Sequence, residues 1–268
     1  MSVNRDSFIK YLDTFLLGKI NDEHNVCELT VNENSANILV RGIVDTSFKI
    51  DTTYNHGIID GFSGKLILQN LQDIRKTIAI MDDEFSFELE YNNITNNPYM
   101  LIVKDSKRKI KFTLGVKSDK INDNLKERPL NSIPEPTLTI PMDNEFIIQI
   151  SKLYGIFKPD TISILNNETE DKNIIKFNSD NYIGEVELVL NNEYVDLFDK
   201  RRKNNDDNEF NALYFLKIIE TNKSIANDMN VSHIVAYKND NVPASAIFFD
   251  FKSEDIHSKY ILLPYIKK

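Results

Sequence analysis

Residues 129–146 read PLNSIPEPTLTIPMDNEF, and four of the chain's eight prolines, Pro129, Pro134, Pro136 and Pro141, fall within thirteen positions there. Proline fixes φ and removes a backbone donor, so such a run sustains neither a helix nor a central strand. The stretch reads as a connector. Widening it to 116–140 adds Lys117, Lys120, Lys126 and Arg128 against Asp119, Asp123, Glu127 and Glu135, with no sustained hydrophobic period. The 268 residues then divide into 1–115, 116–140 and 141–268, two domains of ordinary size and the segment that joins them.

The two sides of the connector show the same order of patterns, the self-similarity expected of an internal repeat. Each opens on a helical period: Phe8, Ile9, Leu12, Phe15 and Leu16 in the first, and Phe146, Ile147, Ile150, Leu153, Tyr154 and Phe157 in the second, offset by 138 residues. Each continues in strand-like alternation, Ser35 to Thr53 and Asn173 to Leu190, and then in a second apolar helix, Leu68 to Met81 and Glu209 to Thr221. Three short strands close each side. Phe85 to Tyr91, Tyr99 to Val103 and Lys109 to Leu114 answer to Ser232 to Tyr237, Ala244 to Phe251 and Tyr260 to Leu263. The expected fold class is α+β: two similar domains, each with antiparallel sheet and two helices on one face.

Composition bounds the function. With 41% apolar and 27% charged residues, sixteen Phe and eleven Tyr, the chain has the means to build real cores and falls outside the disordered range. Its 32 Lys and Arg against 41 Asp and Glu give −9, which excludes a uniformly basic protein coating nucleic acid. The parts carry thirteen basic against sixteen acidic residues, four against four, and fifteen against twenty-one, so neither domain is basic as a whole. A single cysteine, Cys27, cannot close an intramolecular disulfide, and a cytoplasmic setting is the expectation. The first residues, MSVNRDSFIKYLDTFLLGKIND, are interrupted by Lys10 and Asp13 and read as an amphipathic helix rather than as a leader or a membrane span.

Enzyme chemistry finds no support. His24, His56, His233 and His257 lie far from one another and lack zinc-type spacing. The acidic clusters Asp82-Asp83-Glu84 and Asp206-Asp207 with Glu209 flank the expected helices and read as solvated carboxylates, not as a magnesium site. Gly61-Phe62-Ser63-Gly64-Lys65 has Ile59 and Leu66 where a phosphate loop needs Gly and Ser or Thr, so it reads as a turn leading into the second helix. There is no nucleophile elbow. Neither a metal nor a cofactor is expected, and the chain is read as a non-enzyme.

The helices offer something else. At 100° per residue, Lys10 lies opposite the Phe8–Leu12 stripe, Lys76 opposite Leu71, Ile74 and Ile78, and Lys152 opposite Phe146, Ile150 and Phe157. The fourth helix is apolar nearly all round, and Lys217 is its basic candidate. Lysines on solvated faces are common, and Asp6, Asp13 and Asp73 dilute the field here. Lys200 to Lys203, including Arg201, Arg202 and Lys203, form a basic run before that helix, suited to phosphates rather than to bases, and Lys107-Arg108-Lys109 at an expected hairpin tip has the same character.

Three stretches carry a resemblance. Leu130 to Phe146 is similar to an interdomain connector running into a third helix. Val242-Pro243 with Tyr260-Ile261-Leu262-Leu263-Pro264 resembles a closing strand and its proline-containing tail, and ILVRGIVDTSFK, Ile38 to Lys49, resembles early strands of phage proteins of the same kind. Through their order and the repeat, the whole chain resembles the DNA polymerase sliding clamps, the family of eukaryotic proliferating cell nuclear antigen and of trimeric clamps from tailed phages. The Asn-, Lys- and Ile-rich composition suits an AT-rich phage genome, and with it a host-cell cytoplasm.

The resemblance implies a head-to-tail homotrimer closed into a ring, with helices lining the hole around double-stranded DNA. Lys10, Lys76, Lys152 and Lys217 would face the duplex, and at a Debye length of roughly 8 Å distant acids would not cancel them. The subunit contact would pair Lys109, Ile110, Phe112 and Leu114 of one protomer with the segment of Tyr182, Ile183, Val186 and Leu188 of the next. Partner peptides from a DNA polymerase or a clamp loader would dock against Val40, Leu130, Ile133, Pro134, Pro243, Leu263 and Pro264. The connector is unusually polar and long for the family, residues 192–208 form an Asn- and Asp-rich insertion, and the sequence closes on Lys267-Lys268. Two other readings stay open: a β-rich structural or assembly protein of a virion, and a monomeric accessory factor with one open DNA-gripping face.

Overall fold

The computed structural model describes residues 1–17, 26–41, 48–115, 138–141, 144–167, 172–178, 186–190, 209–225, 228–238 and 242–264. They fall into two compact units, one drawn from Met1–Ile43, Ile50–Arg128 and Lys252–Ser258, the other from Val44–Lys49, Pro129–Phe251 and Lys259–Lys268. The first runs β1 (Val3–Asn4), α1 (Arg5–Leu16), β2 (Val26–Asn32), β3 (Ser35–Arg41), β4 (Phe48–Tyr54), β5 (Gly64–Gln69), α2 (Leu71–Ala79), β6 (Glu84–Tyr91), β7 (Pro98–Lys104) and β8 (Lys109–Thr113). The second runs β9 (Leu138–Pro141), α3 (Asn144–Phe157), β10 (Thr161–Asn167), β11 (Lys172–Asn178), β12 (Val186–Leu190), β13 (Phe210–Asn211), α4 (Ala212–Asn222), β14 (Asp228–Lys238), β15 (Val242–Lys252) and β16 (Ile256–Leu262), except that residues 252 and 256–258 count with the first unit and residues 48 and 49 of β4 with the second.

Strand order follows the same rule in both. Neighbours run β1-β6-β7-β8 and β5-β2-β3-β4 in the first unit, and β9-β14-β15-β16 and β13-β10-β11-β12 in the second. The registered pairs are antiparallel, as in Leu29 opposite Ile38 and Leu66, or Ile164 opposite Ile175.

Helix α1 begins where the Asn4 side chain accepts a hydrogen bond from the Ser7 N–H at 3.0 Å, and it stops at Leu17, whose φ of 43° is left-handed. Phe8, Tyr11, Leu12, Phe15 and Leu16 are buried along one face. Phe8 is the hub: its ring lies 5.4 Å from Tyr11, 5.2 Å from Phe87 and 6.0 Å from Phe85, and meets Tyr54 edge-on at 5.4 Å. Beside this cluster three fully buried hydroxyls form a chain. Thr14 donates to the Tyr11 carbonyl at 2.7 Å, which leaves Thr52 to donate to Thr14 and Ser258 to Thr52, both at 2.9 Å. In the second unit Phe215 of α4 packs against Phe249, and Phe249, Phe251 and Tyr260 are in mutual contact.

Two sequence expectations shift. The expected helix Leu68 to Met81 is shortened to α2, because Leu66, Ile67 and Leu68 are a buried part of β5, with Cys27 opposite Leu68, and Asn70 breaks the chain direction at a left-handed φ of 56°. Gly61 to Lys65 therefore turns into a strand, not into the helix, and Lys65 ion-pairs with Glu28 at 2.6 Å. The expected helix Glu209 to Thr221 starts at Ala212 instead. Phe210 and Asn211 first pair with Ile162 and Thr161, and the Asn211 side chain accepts from the Tyr214 N–H at 3.0 Å. A short apolar run carries no period by which strand and helix can be told apart.

Beyond β8, Gly115 donates its N–H to the Ile67 carbonyl at 2.8 Å, and a Cβ there would stand 2.6 Å from the Ile67 side chain. Only glycine allows that approach.

Phe8→Ala should lower unfolding free energy by about 3–5 kcal/mol, the usual cost of emptying a buried aromatic site, whereas Ile80→Ala at an exposed position should change it by less than about 0.5 kcal/mol. Urea denaturation of the two variants checks the contrast.

Candidate nucleic-acid interface

Burial of one helix face decides what the opposite face presents. On α1, Lys10 is exposed and makes no ion pair among the described residues, although its charge reaches the carboxylates of Asp6 and Asp255. On α2, Lys76 is 71% exposed at its side chain and stands 3.4 Å from Asp73. On α3, Lys152 is exposed. Lys217 of α4 is only 35% exposed and donates to Glu220 Oε2 at 2.8 Å.

The helix pairs are fastened by polar contacts that the sequence did not announce. Arg75 of α2 reaches Asp13 of α1 through two nitrogens, one of them Nη2 to Oδ2 at 2.7 Å. Asp13 thus closes an interhelical ion pair instead of facing water as a diluting charge. In the second unit the Ser151 hydroxyl of α3 donates to Glu220 Oε1 of α4 at 3.3 Å. Ser151, Lys152, Glu220 and Lys223 line a shallow groove of about 350 Å³ over Ile147 and Ile148. The spacing of Lys217 and Glu220, three residues apart on a helix, was a readable signal for their pair; nothing local marked Ser151 or Lys223.

The basic hairpin tip forms as expected between β7 and β8, but its arginine is engaged. Arg108 Nη1 lies 2.6 Å from Asp105 and 3.6 Å from Asp82. Burial pushes the Asp105 carboxyl up, but the N–H groups of Lys107, Asp82 and Arg108, together with the Arg108 guanidinium, outweigh it and bring the pKa down to about 2. Asp82 accepts from Ser106, Asp83 pairs with Arg5 at 3.0 Å, and Glu84 accepts from Ser2, so this acidic cluster serves the fold. Among the described residues no group of three or more His, Cys, Asp and Glu is placed to hold a metal. Burial, with Glu28 alongside, pushes the Cys27 thiol up to about 12, far from a nucleophile's range.

Arg201, Arg202 and Lys203 lie outside the described residues, as do Leu130, Ile133, Pro134, Tyr182 and Ile183. Val40 sits in β3 and Pro243 in β15, while Leu263 and Pro264 follow β16 and are half-buried. Strand β8 ends its sheet order, with Lys109 exposed, Ile110 and Phe112 half-buried and Leu114 buried just beyond. Strand β12, which holds Val186 and Leu188, also ends its order.

No protein-family model and no curated protein matches the chain. Solved structures do. The chain is similar over its whole length to one in the complex of the C-terminal region of FEN-1 bound to A. fulgidus PCNA, with 12% identity, a TM-score of 0.62 and 98% of that chain covered. It is likewise similar to the DNA polymerase sliding clamp from Pseudomonas aeruginosa. The ligand-bound structure gives 14% identity and a TM-score of 0.61, and a second structure gives 13% and 0.60. All of this chain is covered there, against 66% of the bacterial one. The fold is therefore an α+β fold with antiparallel sheets similar to that of PCNA-like sliding clamps.

Asp105 yields a pH-dependent outcome. Its folded pKa is depressed, so its stabilisation is complete above the unfolded value of about 3.9 and is lost as pH falls through about 2. Asp105→Asn should lower the urea midpoint at neutral pH, and the gap from the unsubstituted protein should narrow as pH falls from about 4 toward 2.

Proposed function

We propose that the chain is a sliding clamp, a non-enzymatic processivity factor for a DNA polymerase, acting as a homotrimeric ring around double-stranded DNA. The observation that carries this reading is the clamp-like fold along the whole chain, joined to exposed lysines on three helices, Lys10, Lys76 and Lys152, each opposite a buried stripe. The recurrence of one element order and one strand order in both units supports domains 1–115 and 141–268 as copies joined by 116–140.

In this reading the mechanism is topological. The ring holds DNA through weak, sequence-independent phosphate contacts and keeps the polymerase at high effective concentration on the template. Base-specific contacts would arrest sliding, and the lysines ask for none. Ring closure pairs β8 of one protomer with β12 of the next, which covers two strand edges that would otherwise invite uncontrolled association. Polymerase and clamp-loader peptides dock near Leu263 and Pro264, with Val40, Leu130, Ile133, Pro134 and Pro243 as further contacts. Arg201, Arg202 and Lys203 add phosphate contacts, and the work is done in the cytoplasm of the cell that replicates the DNA.

Light scattering across a dilution series without DNA should return three times the chain mass of 31.0 kDa. A stable monomer would overturn the closed ring in favour of an open accessory factor, and an open-ended polymer would favour a structural protein. Reversing Lys10, Lys76, Lys152 and Lys217 to Glu should shorten polymerase products on primed DNA by about ten-fold or more, since several phosphate contacts are lost at once, while the solution mass stays unchanged. Products of normal length would remove the DNA-facing assignment.

A further inference from the structure

The groove between α3 and α4 holds an acid where a DNA-facing surface calls for cations. Glu220 is held from both helices, by the Ser151 hydroxyl on Oε1 at 3.3 Å and by the Lys217 ammonium on Oε2 at 2.8 Å. Lys152 and Lys223 line the same groove and make no ion pair among the described residues. Two donors thus grip the two oxygens of one singly charged group, with two further cations beside it. A backbone phosphodiester is also singly charged and presents two non-bridging oxygens. The donors that satisfy the carboxylate are the kind that would satisfy the phosphate.

We infer that Glu220 is an internal competitor for duplex phosphate: it occupies Ser151 and Lys217 in free protein, and a backbone phosphate displaces it to seat among Ser151, Lys152, Lys217 and Lys223. The inference rests on the DNA-encircling reading and adds to it a second-unit phosphate seat and the residue that tunes its affinity. Displacement exchanges one ion pair for another, so the net gain per contact is small, as a sliding protein requires. Neither exposed helix lysine of the first unit offers such an exchange. In the first unit the Lys76–Asp73 pair is looser at 3.4 Å and lies mostly in solvent, where such pairs are worth little, and Lys10 has no ion-pair partner among the described residues to release.

The test is a fluorescence anisotropy titration of a mixed-sequence duplex oligonucleotide with the full chain, repeated across a salt series. Glu220→Gln keeps an acceptor for Ser151 and Lys217 but removes the charge. It should tighten binding by about three- to ten-fold and steepen the dependence of log Kobs on log salt by about 0.9 per engaged subunit. Asp73→Asn should change affinity by less than about two-fold. Adding Lys217→Gln to the Glu220→Gln variant should abolish the gain, and Asp73→Asn, which raises the net charge by the same single unit, is the control for a general rise in positive charge. If Glu220→Gln fails to assemble, Glu220→Asp, one methylene shorter, should tighten binding in the same direction. Unchanged or weaker binding by the Glu220 variants, with Lys152→Glu still reducing affinity, would overturn this inference and leave the DNA reading standing. No duplex binding by the unsubstituted chain or any variant would overturn both.

Discussion

Each helix buries an apolar face, set in an aromatic cluster for α1 and α4, and that commitment fixes what it can offer on the other side. Phe8 cannot leave the ring cluster of Tyr11, Tyr54, Phe85 and Phe87 without exposing apolar surface that water disfavours, so α1 cannot roll. The exposure of Lys10 is a consequence of where Phe8 must be. In the second unit Phe215 against Phe249 does the same for α4, but a helix apolar nearly all round leaves little open surface, and Lys217 emerges half-covered. Sheet, core and solvent-facing charge are thus three expressions of one packing requirement.

Polar contacts then set helix against helix. A hydrophobic stripe fixes which side of a helix is buried but is tolerant of sliding along the axis, because dispersion contacts are individually weak and non-directional. The two-nitrogen contact of Arg75 with Asp13 and the reach of Ser151 to Glu220 carry geometry that a stripe lacks. They also redistribute the charge of an acidic chain. Several carboxylates that weigh in the total of −9 are absorbed by specific partners, among them Asp13 by Arg75 and Asp105 by Arg108, so net charge is a poor guide to the potential at any one helix.

Long periodic segments were legible. The stripe from Phe8 to Leu16 and that from Phe146 to Phe157 appear as α1 and α3, and the closing strands of both halves appear as β6 to β8 and β14 to β16. Where period failed, so did the reading. Leu66 to Leu68 is a run of three apolar residues that fits either element, and the pairing of Cys27 with Leu68 across forty residues decided it. The facing of Lys10, Lys76 and Lys152 followed from helix geometry alone. Arg75 and Asp13 stand sixty-two residues apart, and Ser151 and Glu220 sixty-nine, so no local pattern could announce them. Charge pairs across a fold become visible only once the fold exists.

Residues 252–258 belong to the first unit although they follow nearly all of the second. Asp255 accepts from the Ser7 hydroxyl at 2.6 Å, its carbonyl accepts from the Asn55 N–H at 2.8 Å, and Ser258 supplies the last hydroxyl of the buried chain through Thr52 to Thr14. A growing polypeptide reaches these residues long after α1 has been made. Until then the first unit lacks the Asp255 acceptor for Ser7 and the Ser258 donor to Thr52, and its final closure is a loop-closing event across some two hundred residues. Contacts of such high sequence separation form late and slow folding, so completion of the first unit awaits residues made after nearly all of the second.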